Sequence, residues 1–420
     1  MKKIKTYILH LWGNQFLRGS LVVLVASNIA NLTQFIFHFL TGRFLGKVYY
    51  GDLAVMISIL GIVAIIHSAL GLTVVKLIAS ENEKKVSSFI KWINFYSLWL
   101  AVITTLTFLL FAGFISNFLN ISQSISTYFL VPLVLFFIIV TTQRSMLQGL
   151  LEFNKYSLSF VIESVIKIFF VVVLLLIGWG IFGALTAMLL GIIGAFVVTR
   201  MSLSFHLDER KSGKKENKPA LKSFLRYSSV VFAQGLALTS MYSADLILVK
   251  HFFSPEKAGI YSSLAILGRI VFFGANPIVN VMFPIISKRH SLNQKYYSIF
   301  YLSLLILLVI AVSITAIYYL IPQLPISVLY GETYLEGAPY LWWYGLFMTL
   351  LALAMLLTQF YLSINKTRIV YLFPILAVMQ IILIWLYHQS LLQVIQMSIL
   401  SAALLDILLL VYFLYQRKKL

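Results

Sequence analysis

Apolar runs of about twenty residues or more, separated by short clusters of charge, Gly and Pro, recur along the whole chain. That length is what an α-helix needs to cross the hydrocarbon core of a bilayer. The pattern predicts twelve spans, near 19 to 42, 50 to 73, 90 to 113, 126 to 148, 156 to 178, 181 to 203, 226 to 250, 259 to 286, 297 to 320, 339 to 363, 369 to 388 and 392 to 415. The longest outside connection, PQLPISVLYGETYLEGA, has room for a half-turn of amphipathic helix and none for a catalytic domain.

The basic residues choose the orientation. With a cytoplasmic N-terminus the inside segments hold 26 Lys and Arg and the outside segments four (Arg43, Lys47, Lys250 and Lys257), while Lys167 and Arg269 fall at membrane depth. Cytoplasmic loops carry such an excess, so both termini are expected inside, and an even number of spans follows. The most polar stretch, with DERKSGKKENKP inside it, divides the chain into an N-terminal six-helix lobe (1–204), a basic cytoplasmic linker (205–222) suited to anionic headgroups, and a C-terminal six-helix lobe (223–420).

Composition agrees: 61% of residues are hydrophobic and 11% charged, against roughly half and a quarter in soluble domains. A soluble enzyme is excluded. The net charge of +19 is accounted for by inside loops, so no nucleic-acid partner is required. The chain has no cysteine, hence no disulfides or thiolate metal sites, and its first apolar run is too long for a cleaved signal, so it reads as a permanent span. No GxxxxGK[ST] loop is present, and ATP hydrolysis is unsupported.

The end of the first span and start of the second read GRFLGKVYYGDLAVMISILGIV; 208 residues later the corresponding segment reads VKHFFSPEKAGIYSSLAILGRIV. Gly51 and Gly259 align and are expected to open their helices. Six spans per half make the repeat parallel, and two parallel lobes imply a central cavity. LGKVYYGDLAVMISILGIVAIIHSALG, the block from ADLILV to PIISK, and VLYGETYLEGAPYLWWYGLFMTLLALAMLLTQFYLSINKTR together resemble the signatures of oligosaccharide flippases and polysaccharide transporters of the multidrug/oligosaccharidyl-lipid/polysaccharide exporter superfamily. The resemblance implies an all-α polytopic protein of a bacterial inner membrane. Such a protein moves lipid-linked sugar units outward by alternating access for cell-surface polysaccharide assembly.

A lipid-linked oligosaccharide presents a polyprenyl tail, a pyrophosphate and a bulky glycan, and the pyrophosphate calls for cations, preferably Arg. Arg269 and Lys167 are both near mid-depth, one from each half; an Arg centred in lipid costs at least roughly 2.5 to 3.5 kcal/mol, so each must face a cavity or a carboxylate. Glu163 lies four residues before Lys167, the spacing of a helical ion pair; displaced by substrate, it would be free to take a coupling proton or sodium ion. Arg144, beside Gln143 and Gln148, either greets the headgroup or anchors a helix end. Asp245 serves a substrate or coupling role, or pairs with Lys250 or Arg43, and Asp406 is a second buried acid. Asn31, with Asn28 and Gln34, and Asn276 either line a glycan cavity or bond neighbouring helices. His38 and His67 have no third ligand at a metal spacing, so no metal is expected. Pro277 and Pro284 predict a bend in the eighth span, and Pro132 and Pro374 could act likewise.

No cofactor is expected beyond a possible coupling H+ or Na+. The expected partners are the lipid-linked oligosaccharide, anionic lipids and polysaccharide polymerase machinery. The competing readings are a cation-coupled multidrug or metabolite exporter of the same superfamily, a lipid II flippase, and, disfavoured by the short outside loops, a membrane glycan polymerase or ligase.

Overall fold

A computed structural model describes residues 15–80, 83–204 and 221–417, and every regular element in it is helical. The predicted linker lies almost wholly outside the described residues. Gln15–Ser80 is one helical run broken at Gly46, whose φ of 70° and ψ of 173° give two helices, α1 (15–45) and α2 (47–80). A side chain is badly strained in that conformation, so glycine permits a turn of a single residue. There follow α3 (Glu83–Phe118), the single turn α4 (Ile125–Tyr128), α5 (Leu130–Gly149), α6 (Phe153–Leu176), α7 (Gly180–Ser204), α8 (Leu221–Phe252) and α9 (Pro255–Ser291). The chain continues through α10 (Tyr297–Leu320), α11 (Gln323–Leu329), a 3₁₀ helix (Glu332–Gly337), α12 (Ala338–Ser363), a second 3₁₀ helix (Thr367–Tyr371), α13 (Leu372–Leu386) and α14 (Leu391–Arg417).

Eleven helical stretches are long and apolar enough to cross a membrane, and the first of them, Val25–Ile65, contains the Gly46 break. Counting its limbs separately gives twelve spans among the described residues. The connection expected to hold a half-turn forms α11 and a 3₁₀ helix. Pro132 and Pro374 are the third residues of α5 and α13. There the missing N–H would have no intrahelical partner, so both prolines start helices rather than kink them. Pro277 and Pro284 are inside α9, which remains one continuous helix. Its start is specified locally by Ser254 as N-cap, Pro255 in the first turn and Glu256 against the helix dipole.

The chain forms two compact units. One comprises Met1–Phe44, Val63–Asn117 and Gln123–Ser229; the other comprises Leu45–Ile62, Phe118–Ser122 and Val230–Leu420. In the first, α6 and α7 pack nearly backbone to backbone: a Cβ on Gly191 would come within 2.9 Å of the Glu163 carbonyl, and one on Gly194 within 2.3 Å of Ile166. Small residues let membrane helices approach closely where lipid supplies no hydrophobic drive.

The second unit is built around α12. In the most apolar window of Glu332–Ser363, 67% of residues are buried, against 22% in Tyr297–Leu320, whose Leu302, Leu305 and Val309 face outward. Within this unit Gly51 meets Gly259: a Cβ on Gly51 would lie 3.0 Å from the Gly259 nitrogen, and one on Gly259 would lie 2.0 Å from the Lys47 carbonyl oxygen. Neither glycine opens its helix as the repeat suggested. Gly51 is the fifth residue of α2 and Gly259 the fifth of α9, and together they form a contact too tight for any side chain.

Candidate functional site: charged groups at membrane depth

In the first unit Arg144 of α5 is buried and clamped onto α6. Its Nε donates to Ser159 Oγ at 2.9 Å, and one Nη donates to the Ser159 carbonyl at 3.0 Å and to Glu163 Oε2 at 2.6 Å. The guanidinium carbon stands 3.7 Å from the centroid of the Phe160 ring, a cation–π position. This planar fork, with a serine, a carboxylate and an aromatic face on one helix, is a geometry Lys could not reproduce. Arg144 is therefore neither a solvent-facing anchor nor a free headgroup ligand.

The expected Glu163–Lys167 pair does not form, because Arg144 takes the carboxylate. Lys167 is buried, and its Nζ donates to Gln34 Oε1 of α1 at 2.7 Å, with the Phe37 ring centroid 5.5 Å away. Gly191 accounts for the direction: α7 packs against the Glu163–Lys167 turn, leaving the lysine stem to run toward α1. Gln34 Nε2 in turn lies 3.2 Å from His38 Nε2. Among the described residues Lys167 thus has a neutral amide as its partner and no carboxylate within ion-pairing distance.

The second unit holds a larger polar cluster. Asp245 is fully buried, and its Oδ2 accepts from Tyr261 at 2.8 Å and from Tyr344 at 2.6 Å, while Oδ1 has no side-chain hydrogen-bond partner among the described residues. It does not pair with Lys250: five residues on a helix turn a side chain through about 140°, and Lys250 finds another acid. Tyr344 reaches Asp245 because position 268 is glycine; a Cβ there would lie 2.2 Å from the tyrosine ring. The adjacent Arg269 donates to the Tyr242 carbonyl at 2.9 Å and to Ser58 Oγ at 3.3 Å, with the Tyr242 ring centroid 5.3 Å away. Its Nε is buried without a partner, and no carboxylate lies within ion-pairing distance among the described residues.

Lys250, counted from the sequence as a loop charge, is fully buried and pairs with Asp52 Oδ1 at 2.5 Å; Asp52 has no exposed surface either. Asp52 Oδ2 accepts from the Ser122 backbone N–H at 3.0 Å. The short segment Phe118–Ser122 is fixed at two more points, His251 Nδ1 against the Phe118 carbonyl at 2.5 Å and Asn120 Nδ2 onto the His251 carbonyl at 3.0 Å. In the same unit Tyr50 and Tyr330 share a 3.0 Å hydrogen bond, and burial pushes the Tyr330 phenol above its ordinary value, keeping it neutral.

Asp52 escaped the sequence reading because it stands at a predicted span edge, where an acid passes as a loop residue. The available signal was its place, in the same GDL stretch as Gly51. Asn31 is exposed on α1, and the side chains of Asn276 and His67 lie outside the described residues. Asp406 is buried on α14 with neither carboxylate oxygen hydrogen-bonded among the described residues.

Among the described residues, twelve apolar helices in two units, with ionisable side chains kept inside them, define a polytopic membrane protein. The chain belongs to the polysaccharide biosynthesis protein family, which it matches over residues 16–290. It is 24% identical over 294 residues to the uncharacterized membrane protein MJ1375 of Methanocaldococcus jannaschii, covering 66% of this chain and 69% of that protein. Its fold is similar to that of a structure described as the inward-facing conformation of a multidrug resistance MATE family transporter of the MOP superfamily, with a TM-score of 0.79 at 15% identity over 94% of this chain and 98% of the other. The lipid II flippase MurJ in an inward closed conformation is also similar, with a TM-score of 0.70 at 14% identity over 94% and 87% of the two chains. So is a MOP superfamily transporter from Pyrococcus furiosus whose binding pocket has reverse polarity, with a TM-score of 0.66 at 16% identity over 96% and 95%.

Proposed function

We propose that this protein is a flippase that carries a polyprenyl-pyrophosphate-linked oligosaccharide from the inner to the outer leaflet of the cytoplasmic membrane, for assembly of a cell-surface polysaccharide. The observation that carries the reading is the charge accounting at membrane depth. Arg144 is neutralised by Glu163 and Lys250 by Asp52, whereas Lys167 and Arg269 are held by neutral groups. Keeping two such cations with no carboxylate in ion-pair contact among the described residues is costly in an apolar protein, and an anionic substrate would repay the cost on binding. Arg269 has an unpartnered Nε to offer, and a guanidinium suits phosphate oxygens. In this reading Arg144 shapes α5 and α6 instead of contacting substrate, and the lipid tail stays in the bilayer while polar groups accompany the glycan.

Membership of the polysaccharide biosynthesis family supports this assignment over drug export. The MATE-like fold is shared by both activities, and cationic drugs would be repelled by Lys167 and Arg269. No bond is made or broken in the proposed cycle. Its energy comes from an ion gradient acting on a buried acid, or from a polymerase that consumes the delivered unit.

The test is the sidedness of lipid-linked glycan in flippase-deficient cells, with wild type, R269A, R269K and K167A at matched membrane levels. Wild type should restore outward-facing glycan, R269A and K167A should lose at least tenfold in rate, and R269K should fall between because it keeps charge without the fork. Normal transport by both alanine variants would place the substrate elsewhere. Export of small cations by wild type, with no glycan movement in any background, would replace this reading with a drug exporter.

A further inference from the structure

Asp406 contrasts with the other membrane-depth acids. Glu163 and Asp52 each hold a cation, and Asp245 holds two tyrosine hydroxyls. Asp406 is 3% exposed, and neither of its oxygens receives a hydrogen bond among the described residues. Its helix packs against α12 and α13 and meets α10 through Phe413, and none of the three carries Asp, Glu, Lys, Arg or His, α10 bringing only Tyr297 and Tyr301 to that contact. The titratable groups of α12 are Tyr340, Tyr344 and Tyr361; Tyr344 is committed to Asp245, and Tyr361 donates to the Leu409 carbonyl at 2.7 Å. α13 offers no titratable group. α14 itself carries Tyr412, whose ring lies against Tyr361, and Tyr415, and its nearest cation in sequence is Arg417, eleven residues and about 16 Å along the helix.

A carboxylate with no cation and no donor cannot remain ionised in such surroundings; it takes up a proton instead. We infer that Asp406 is a proton-binding site, and that the packed arrangement of α14 on α12 and α13 is the proton-loaded one. Loss of the proton leaves a bare charge in an apolar contact, so release requires α14 to part from its neighbours enough to admit water. Protonation of Asp406 therefore selects between two packings of the second unit. Through the proposed transport reading, on which this last step rests, it links the cycle to the proton gradient.

The experiment uses the full chain in lipid vesicles and needs no transported substrate. The protein has no native cysteine, so S401C places one thiol on α14 at a buried position. Its labelling by a water-soluble maleimide is followed against pH, with and without D406N. D406N keeps the shape and removes the titration, and comparing the two at each pH cancels the thiol's own ionisation. Labelling should rise several-fold more with pH in the Asp406 background than in D406N. An infrared band of a protonated carboxyl, present at neutral pH in the unmodified chain, should vanish in D406N. Equal pH profiles, or an infrared spectrum unchanged by D406N, would overturn the assignment. Failure of the flippase reading would leave both readouts intact and appear only in the glycan assay.

Discussion

The Asp52–Lys250 pair gives the sharpest energetic prediction. Both side chains are wholly buried, and the charged atoms are 2.5 Å apart. At an effective dielectric constant of about 20 the attraction is on the order of 7 kcal/mol, but desolvating each ion costs several kcal/mol. The net contribution of the intact pair is therefore small. Removing one partner is different, because the survivor keeps its desolvation cost and loses its compensation. D52N leaves a buried ammonium facing an amide; K250M leaves a carboxylate with only the Ser122 N–H. Each should cost about 3 to 5 kcal/mol. The double variant D52N/K250M buries no charge and should recover most of that loss. Thermal unfolding of the purified protein, followed by circular dichroism and by aggregation onset, ranks the four proteins. Single losses below about 1 kcal/mol, or a double variant as unstable as the sum of the two singles, would show that water reaches the pair and would refute the reasoning.

Other substitutions test separate features. G259A should destabilise by about 3 kcal/mol or more, at the upper end of overpacking, because its Cβ would overlap the Lys47 backbone. G61A, which meets nothing within 4 Å, should be neutral or gain up to about 1 kcal/mol from helix propensity; both are read as shifts in unfolding temperature. Y344F removes one of two hydroxyl donors to Asp245 and should cost about 1.5 to 3 kcal/mol, and a variant as stable as wild type would show that Tyr261 alone suffices. Tyr296, just before α10, has its pKa pushed up from 10.0 to about 12 by burial first and then by its bond to Tyr297. Its neutral phenol is favoured by the fold, so that contribution is whole below about pH 10 and fades as pH rises through about 12. An alkaline absorbance titration of wild type against Y296F should show one phenol ionising late, and disappearance of a phenol titrating at the ordinary value would contradict this.

The spans were legible because length and apolarity are properties of single segments, and the bilayer imposes both. Partner choice was less legible because it depends on which helix arrives opposite. Glu163 and Lys167 are spaced as a pair, and the sequence cannot show that Arg144 reaches the carboxylate first. Asp245 and Lys250 are neighbours along the chain and stand on different faces of α8. The glycines were the converse case: the repeat singled out Gly51 and Gly259, but their role was misassigned because helix starts are read locally and helix crossings are not. Arg269 was expected to face a cavity or a carboxylate, and its partners are a backbone carbonyl, a serine and a tyrosine ring, none of which a search for counter-charges would select.

The makeup of the second unit bears on cutting the chain in two. A break in the segment between α7 and α8 would put Lys250 and Gly259 on one fragment and Asp52, Gly51 and Ser122 on the other. The C-terminal fragment alone would carry an unneutralised ammonium and an exposed glycine groove. The two fragments should therefore accumulate only when made together, each acting as an obligate assembly factor for the other, and a C-terminal fragment carrying K250M should be the one that persists alone.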